Sequence, residues 1–266
     1  MVGPLGRCSR HGATGMKKRN WYWIMLMFQL VFHAPAAQGH DVVPEKHPLA
    51  RTVAASAPVV KPVVRKLPGQ SAQLLPVLKT EIETFWPTLA PREFIAGVID
   101  QESNWKAAAA LRTDREWGCG LGQFTVAYKA DGSVRFDALT ETKRLDKSLR
   151  DWDWKDCGNV QFQLRATVLK LKVNNRNCSI LMVGGREINA CNGSQYNGGA
   201  GNTAKRIRLC RMDKNCDPTL WYGHLEKQCG QSNVKAHGYG ESFCQINSKY
   251  PARVEARMVK FQGLLD

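Results

Sequence analysis

Eight of the nine cysteines in this 266-residue chain lie after residue 118. An even number of cysteines within one segment predicts a disulfide framework, of the kind that forms in a periplasm or outside the cell. The sequence leaves the pairing open, because eight cysteines permit 105 connectivities. A zinc site is disfavoured, since the chain has no Cys-x-x-Cys and its histidines lack ligand spacing. The eight are Cys119, Cys157, Cys178, Cys191, Cys210, Cys216, Cys229 and Cys244.

The N-terminal stretch is typical of a secretory signal. A cationic run, Lys17 to Arg19, precedes twelve almost wholly apolar residues, 21–32, and then Ala34-Pro35-Ala36. Twelve residues are fewer than the roughly 20 that a membrane-spanning helix needs. We predict a signal peptide over residues 1–37, with Met16 as an alternative start and an uncleaved anchor or buried helix as the alternative structure. Cleavage would remove Cys8 and leave 33 basic and 23 acidic residues, a net charge of +10.

The next segment is rich in proline. Residues 41–76 hold six of the twelve prolines and show no periodic apolar face. We therefore predict a semi-stiff, solvated linker over residues 38–72 and one catalytic domain over residues 73–266. Apolar residues make up 43% of the chain and charged residues 23%, which excludes a wholly disordered, fibrous or multi-span membrane protein.

The pattern of the predicted domain is mainly α with one small sheet, an α+β fold that contains disulfides. A second helix is expected from Pro91, since apolar residues recur at 94, 95, 98 and 99. The glycines in Cys119–Asp137, together with the turn pair Asp131-Gly132, predict a small hairpin or irregular sheet. The other predicted helices are Gln73–Trp86, Leu164–Val173, which also alternates enough to be a strand, Ser179–Ala190 and Tyr250–Leu265, in which Pro251 comes early.

One carboxylate falls on the apolar side of the second predicted helix. Counting by fours from Phe94 through Val98 reaches Glu102, where the pattern calls for a buried apolar residue. Desolvation penalises the charged form of such a group, so its pKa should be raised. A carboxylic acid of this kind can protonate a glycosidic oxygen near neutral pH. The alternative is a helix-end glutamate that points into water or pairs with Lys106.

Three short motifs occur in a fixed order: Gln101-Glu102-Ser103, then Gly120-Leu121-Gly122-Gln123-Phe124, then Gln195-Tyr196-Asn197-Gly198-Gly199. This order resembles the lysozyme-like superfamily of soluble lytic transglycosylases and goose-type lysozymes. The pattern of that superfamily is Glu-Ser, then Gly-Leu-Met-Gln, then Tyr-Asn-Ala-Gly. The resemblance covers about residues 73–201, and it implies a lysozyme-like helical domain that cleaves peptidoglycan.

The resemblance also implies roles for individual residues. Glu102 matches the single general acid and base, and Ser103 follows it in the motif as a substrate-binding residue. Gln123 matches a glutamine at the edge of the saccharide groove. Tyr196 and Asn197 match the pair opposite the glutamate, with the tyrosine hydroxyl close to the carboxyl. No cofactor and no metal are implied.

Three features depart from the superfamily pattern. Gly122 stands in place of methionine and Gly198 in place of alanine. The 73 positions between Gln123 and Tyr196 exceed the expected spacing, which predicts an insertion near residues 138–156. We interpret its Asp-Trp-Asp-Trp run, residues 151–154, as an exposed loop; a lid or a sugar-binding edge are the alternatives.

Asp114 is the candidate for a second carboxylate. Most glycosidases use two carboxyl groups, whereas lytic transglycosylases use one glutamate and the muramic 6-hydroxyl in place of water. Asp114 lies six residues before Gly120, a placement similar to that of an aspartate in goose-type lysozymes. A solvated loop aspartate paired with Arg112 or Arg115 is equally compatible with the pattern. The sequence therefore leaves transfer and hydrolysis both open.

The expected partner is the peptidoglycan glycan strand. The basic charge suits anionic envelope polymers. Nucleic acid is disfavoured because no recognition motif is present, and membrane contact is expected only through the signal segment. We expect a monomer.

A non-catalytic wall-binding protein and a secreted cationic membrane-active protein remain alternatives. Three tryptophans could stack on sugars but are more often core residues: Trp105, Trp117 and Trp221.

Overall fold

The computed structural model describes residues 66–235 and 240–266. The predicted signal peptide and most of the predicted linker lie outside these residues. The described part is mainly α with one small antiparallel sheet, which confirms the predicted fold class. Its helices are α1 Ser71–Phe85, α2 Glu93–Ser103, α3 Ala138–Lys143, α4 Val160–Leu181, α5 Gly185–Gly198, α6 Ala200–Met212 and α7 Phe243–Met258.

The sheet has four antiparallel strands in sequence order. It adds two strands before the predicted hairpin, because residues 110–112 pair with residues 117–119 and residues 116–119 pair with residues 124–127. The predicted Asp131-Gly132 turn lies between the last two strands, with Gly132 at a φ of 81°. The strands are β1 Ala110–Arg112, β2 Glu116–Cys119, β3 Phe124–Tyr128 and β4 Val134–Asp137.

The largest core cluster joins α1, α2, α4 and α7. It includes Ile82 of α1, Ile99 of α2, Val168 of α4 and Val254 of α7, each almost fully buried. A smaller cluster lies under the sheet, and a third joins α4, α5 and α6 around Trp221. Trp105 is also fully buried, so two of the three candidate tryptophans are core residues.

Helices α2 and α7 approach each other closely because Gly97 has no side chain. A Cβ at this position would lie 2.9 Å from the Val254 carbonyl oxygen and 2.8 Å from Cγ of Met258. The same two helices are joined by Asp100 of α2, whose buried carboxylate accepts from Arg257 of α7 at 3.0 Å; it also accepts from Lys260, in the turn that follows α7, at 2.8 Å. The close packing positions the ends of both helices relative to each other.

All eight predicted cysteines form disulfides. These pair Cys119 with Cys157, Cys178 with Cys191, Cys210 with Cys216 and Cys229 with Cys244. Such a set indicates an oxidising, exported location. Among the described residues, no helix is both long and apolar enough to cross a bilayer.

Several predicted boundaries are wrong. The helix predicted over 179–190 spans a break, because α4 ends at Leu181 and α5 begins at Gly185, after Gly184 at a φ of 79°. The helix predicted from Tyr250 begins seven residues earlier, at Phe243, with the side chains of Ser242 and Gln245 capping it reciprocally. Pro251 is therefore inside this helix rather than in its first turn.

The interpretation of residues 151–154 as an exposed loop is also wrong at its centre. Trp152 is fully buried and meets the ring of Phe124 edge to face at 5.1 Å. Trp154 is partly buried and packs against Trp117 at 4.8 Å, which leaves Trp117 as the candidate tryptophan with some exposure. The segment therefore forms part of the core beneath the sheet.

Candidate active site

Glu102 lies in the last turn of α2, on the side that buries Phe94 and Val98. The helix ends at Asn104, which adopts a left-handed conformation with a φ of 50°. The side chain of Glu102 keeps partial exposure, while the atoms packed around its carboxyl remove most of the water. This desolvation raises the pKa of Glu102 to about 7, against smaller lowering effects of a hydrogen bond from Tyr250 and of the charge on Lys170.

Tyr250 of α7 donates a hydrogen bond from its hydroxyl to Oε1 of Glu102. The tyrosine is buried, and burial together with the negative charge of Glu102 raises its pKa well above the ordinary value. The phenol therefore stays protonated and acts as a donor whenever Glu102 is ionised. The close approach of α2 and α7 at Gly97 makes this contact geometrically accessible.

The glycine-rich segment 120–123 is held by Gln163 of α4. Gln163 is fully buried, accepts a hydrogen bond from the backbone N–H of Leu121 and donates to the carbonyl of Cys157. Gly120 has a φ of 79°, and a Cβ there would collide with the Gln163 amide. Only glycine satisfies both the backbone conformation and this close approach.

Gly122 meets Tyr196 of α5 and Thr167 of α4. The Tyr196 hydroxyl donates to the Gly122 carbonyl oxygen at 2.8 Å. A Cβ at residue 122 would lie 2.7 Å from that hydroxyl and 2.5 Å from Oγ1 of Thr167. Glycine rather than the methionine of the superfamily pattern is thus required by the two side chains that fill this position.

Tyr196 is buried beside Glu102, although its hydroxyl is directed to the Gly122 backbone. Burial raises the pKa of Tyr196, and the charge of Glu102 raises it further. The charge of Glu102 therefore acts on Tyr196, while Tyr250 makes the direct hydrogen bond to the carboxyl. The two phenols approach the acid from α5 and α7 respectively.

Gln123 stabilises the glycine-rich turn. Its amide nitrogen donates to the carbonyl oxygens of Gly120 at 2.9 Å and Ala109 at 3.2 Å. The residue has a φ of 47°, and its side-chain oxygen lies over Gly118 of β2. The residue is partly buried, and its role at the edge of a saccharide groove stays a prediction.

Asn197 is exposed at the end of α5 and accepts a hydrogen bond from Asn247 of α7 at 3.0 Å. Asn247 also donates to the Ser194 carbonyl at 2.9 Å and accepts from its hydroxyl at 3.0 Å. Asn197 directly follows Tyr196 on α5, and Asn247 lies three residues before Tyr250 on α7. The hydrogen bond between the two asparagines therefore joins the helices that carry the two tyrosines. Ser103, in contrast, is buried and donates to the Ile99 carbonyl at 3.1 Å within its own helix.

Lys170 of α4 lies beneath the same group of side chains. Its Nζ is 5.1 Å from the ring centre of Tyr196 and 5.9 Å from that of Phe124. Desolvation lowers the pKa of Lys170, while the charges of Glu141 and Glu102 act in the opposite direction. The pKa of Glu102 is thus lowered by Tyr250 and by Lys170, and its own charge raises the pKa values of Tyr196 and Tyr250.

Asp114 lies in the exposed turn between β1 and β2. The four residues of β2 separate this turn from Gly120, which follows the other end of the strand. At about 3.3 Å per residue, the strand places the turn about 13 Å from Gly120. Its role as a second carboxylate stays a prediction, and no described contact joins it to Glu102.

Sequence reasoning missed four residues of this site: Gln163, Thr167, Lys170 and Tyr250. The first three recur at i, i+4 and i+7, the spacing of one helix side, so a polar stripe on α4 was available as a signal. Tyr250 precedes the core residue Val254 by one turn, as Val98 precedes Glu102. For Tyr250, the available signal was an aromatic hydroxyl on the apolar side of the last predicted helix.

Comparison of the sequence with models of known protein families finds no matching family, and comparison with curated proteins finds no similar one. Within residues 66–235 and 240–266, no group of three or more His, Cys, Asp or Glu side chains has the geometry of a metal site.

Proposed function

We propose that this protein is an exported, periplasmic or extracellular, peptidoglycan lytic transglycosylase. It would cleave the glycosidic bond between MurNAc and GlcNAc with Glu102 as the single catalytic acid and base. The observation that carries the proposal is a partly accessible carboxylic acid with a pKa of about 7, hydrogen-bonded by Tyr250 and facing Tyr196. The motif order of the soluble lytic transglycosylases supports the same assignment.

The chemistry follows from the protonation state of Glu102. Near neutral pH a large fraction of this acid carries its proton, which passes to the glycosidic oxygen as the bond from C1 to that oxygen breaks. The resulting carboxylate accepts the hydrogen bond from Tyr250. It then takes the proton of the muramic 6-hydroxyl, whose oxygen bonds to C1 and closes a 1,6-anhydro ring. No water is consumed.

Hydrolysis in the manner of a goose-type lysozyme is the second candidate, with Asp114 as second carboxylate. The exposed position of Asp114 in the β1–β2 turn favours the single-carboxylate reaction. Mass analysis of a digest of purified peptidoglycan distinguishes the two. Anhydro-muropeptides one water lighter than reducing ends are expected, and reducing ends alone would identify a hydrolase.

Glu102→Gln tests the proposal. The amide keeps the shape and hydrogen-bonding capacity of the acid but has no proton to give, so the rate should fall by about 10² to 10⁴-fold. The measurement is loss of turbidity of cell-wall suspensions together with muropeptide release. Glu241→Gln is the matched control, because Glu241 forms exposed ion pairs with Lys249 and Arg253 and should leave the rate unchanged.

Retained clearing by a folded Glu102→Gln protein would reject the catalytic assignment. A wild-type protein that sediments with purified sacculi yet releases no muropeptides would instead be a non-catalytic wall-binding protein on the same scaffold. Lysis of membranes that does not require Glu102 and weakens steeply with salt would identify a cationic membrane-active protein.

A further inference from the structure

Asn247 of α7 is a fully buried amide that has a partner for each of its hydrogens. Its Nδ2 donates to the Ser194 carbonyl oxygen at 2.9 Å and to Oδ1 of Asn197 at 3.0 Å. Its Oδ1 accepts from the Ser194 hydroxyl at 3.0 Å. Because each lost bond would leave a buried polar group unsatisfied, such an amide holds its neighbours in one arrangement.

The direction of the Asn247 amide is set by the main chain. A backbone carbonyl oxygen accepts hydrogen bonds and cannot donate, so the end of the amide that faces the Ser194 carbonyl is the nitrogen. The Ser194 hydroxyl imposes no direction because it both donates and accepts. The second hydrogen of Nδ2 then points to Asn197.

The direction of the Asn197 amide follows from that of Asn247. A nitrogen that donates needs an oxygen opposite it, so Asn197 turns its Oδ1 to Asn247 and its Nδ2 away. Asn197 is exposed, and among the described residues no group accepts from its Nδ2. An exposed asparagine without this contact could turn over and offer either end of its amide. Asn197 instead presents N–H donors on its open side.

Gly198 provides the room for this arrangement. A Cβ at residue 198 would lie 2.6 Å from Nδ2 of Asn247 and 3.1 Å from Nε2 of Gln231. The superfamily pattern has alanine at this position, and an alanine methyl group would displace the Asn247 amide. The glycine at residue 198 and the asparagine at residue 247 therefore depend on each other.

The two asparagines lie beside the residues that surround the acid. Asn197 directly follows Tyr196, and Asn247 precedes Tyr250 by three residues, about 4.5 Å along the axis of α7. The Tyr250 hydroxyl donates to Oε1 of Glu102. Asn247 therefore holds Asn197 from a point one helical turn before the residue that binds the acid.

We propose that Asn247 is a positioning residue that makes Asn197 a hydrogen-bond donor to the glycan. This inference rests on the function proposed above and names the ligand group that is recognised, an oxygen acceptor such as the acetamido carbonyl of an amino sugar. An Asn197 amide turned the other way would set its own oxygen against that carbonyl, and neither group could donate. Asn247 thus decides which kind of ligand group Asn197 accepts.

Asn197→Asp tests the proposal at an exposed position. The carboxylate keeps one oxygen for the bond from Asn247 and replaces the outward NH₂ group with a second oxygen, so the fold is retained and the donor is lost. The affinity for a tetramer of GlcNAc, measured by calorimetry, should fall about tenfold. The tetramer is neutral, so no repulsion between charges contributes. Asn177→Asp on the exposed side of α4 is the matched control and should keep the wild-type affinity.

Asn247→Ala tests the role of Asn247 itself. Without this contact the Asn197 amide spends part of its time reversed, so the affinity for the tetramer should fall about twofold to fivefold. The fall should vanish when residue 197 is already alanine, whereas a merely structural role for Asn247 lowers the affinity equally in both backgrounds. Adding Gly198→Ala fills the vacated space, so it should restore stability without restoring affinity.

Hydrogen exchange of the side-chain amides reads the arrangement without ligand. The Nδ2 hydrogens of Asn247 should exchange slowly, because they are buried and bonded, and those of Asn197 rapidly. Slow exchange at Asn197 with rapid exchange at Asn247 would overturn the assigned directions. Wild-type affinity in Asn197→Asp, or equal losses from Asn247→Ala in the two backgrounds, would overturn the role in recognition. Failure of the wild-type protein to bind the tetramer would overturn it as well.

The binding measurements also separate this inference from the proposed function. A protein that binds the tetramer with these dependences but releases no muropeptides would lose the enzymatic assignment and keep the role of Asn247. A protein that releases anhydro-muropeptides while Asn197→Asp leaves the tetramer affinity unchanged would keep the assignment and lose that role.

Discussion

At the residue scale, two carboxyl groups of the same helix lie in opposite environments. Asp100 is buried with Arg257 and Lys260 within 3.0 Å of one oxygen, so its charge is compensated by direct ion pairs. Glu102, two residues on, receives one hydrogen bond and a more distant ammonium, and burial dominates its pKa.

Tyr250→Phe should shift the pH dependence of activity and lower the rate. The hydrogen bond from Tyr250 lowers the pKa of Glu102, so its removal raises that pKa and moves the basic limb of the profile upward. The loss of a hydrogen bond to a charged group, about 1.5 kcal/mol, should reduce the rate by about tenfold. The measurement is muropeptide release across pH.

Tyr222→Phe is the matched control for this variant. Tyr222 donates to Glu255 at 3.0 Å in a group that includes Arg186 and not Glu102, so its loss should leave the profile in place. An identical profile for Tyr250→Phe and wild type would show that the contact between Tyr250 and Glu102 has no influence on the acid.

At the element scale, the helices predicted correctly are those whose apolar period is uninterrupted. α1 and α2 have such patterns, and the structure places them within two or three residues of the prediction. α7 was misplaced because Pro251 suits a first turn, yet the capping pair Ser242 and Gln245 starts the helix earlier. A local cap therefore decided the boundary that proline alone suggested.

The part of the site that was predictable from the sequence is the part that local patterns specify. Glu102, Gly122 and Tyr196 belong to short motifs that can be recognised locally. Tyr250 is 148 residues from Glu102 in sequence, and its contact exists only because α2 and α7 pack together. Lys170 belongs to a polar stripe whose direction depends on where α4 docks, which no local pattern specifies.

The glycine-rich segment gives the element-scale prediction. Gly122→Ala places a Cβ within 2.7 Å of both Oγ1 of Thr167 and the Tyr196 hydroxyl, and the buried surroundings restrict their movement. Overpacking of this kind costs about 1 to 3 kcal/mol, so the free energy of unfolding should fall by that amount and activity should be lost with it.

Urea unfolding and muropeptide release measure these two effects. The control is Gly158→Ala, because a Cβ at residue 158 meets nothing within 4 Å and its backbone is unstrained. Gly122→Ala protein as stable and as active as the Gly158→Ala control would show that the segment adapts, and that the glycine at residue 122 is not required by its neighbours.

At the scale of the whole molecule, the disulfides follow the core clusters. Cys119–Cys157 ties the sheet to the segment before α4, and both cysteines belong to the cluster around Trp152. Cys210–Cys216 closes a short loop after α6 in the third cluster. The first bridge lies directly beside Gly120 and beside the carbonyl that Gln163 binds, so it supports the active site as well as the fold.

Removal of these two bridges should therefore have unequal effects. The Cys119–Cys157 bridge spans a sequence separation of 38 residues and the Cys210–Cys216 bridge one of 6. In the loop-entropy description the longer loop contributes about 4 kcal/mol and the shorter about 2 kcal/mol. The double variant Cys119→Ala with Cys157→Ala should thus lose roughly twice as much free energy of unfolding in urea as Cys210→Ala with Cys216→Ala. It should also lose activity below its unfolding transition, because the glycine-rich segment is no longer tied to the segment before α4, whereas the short-loop variant should keep the wild-type rate. Equal losses of stability in the two variants would contradict the loop-entropy argument. Full activity in the first variant would show that Gln163 alone is sufficient to hold the glycine-rich segment.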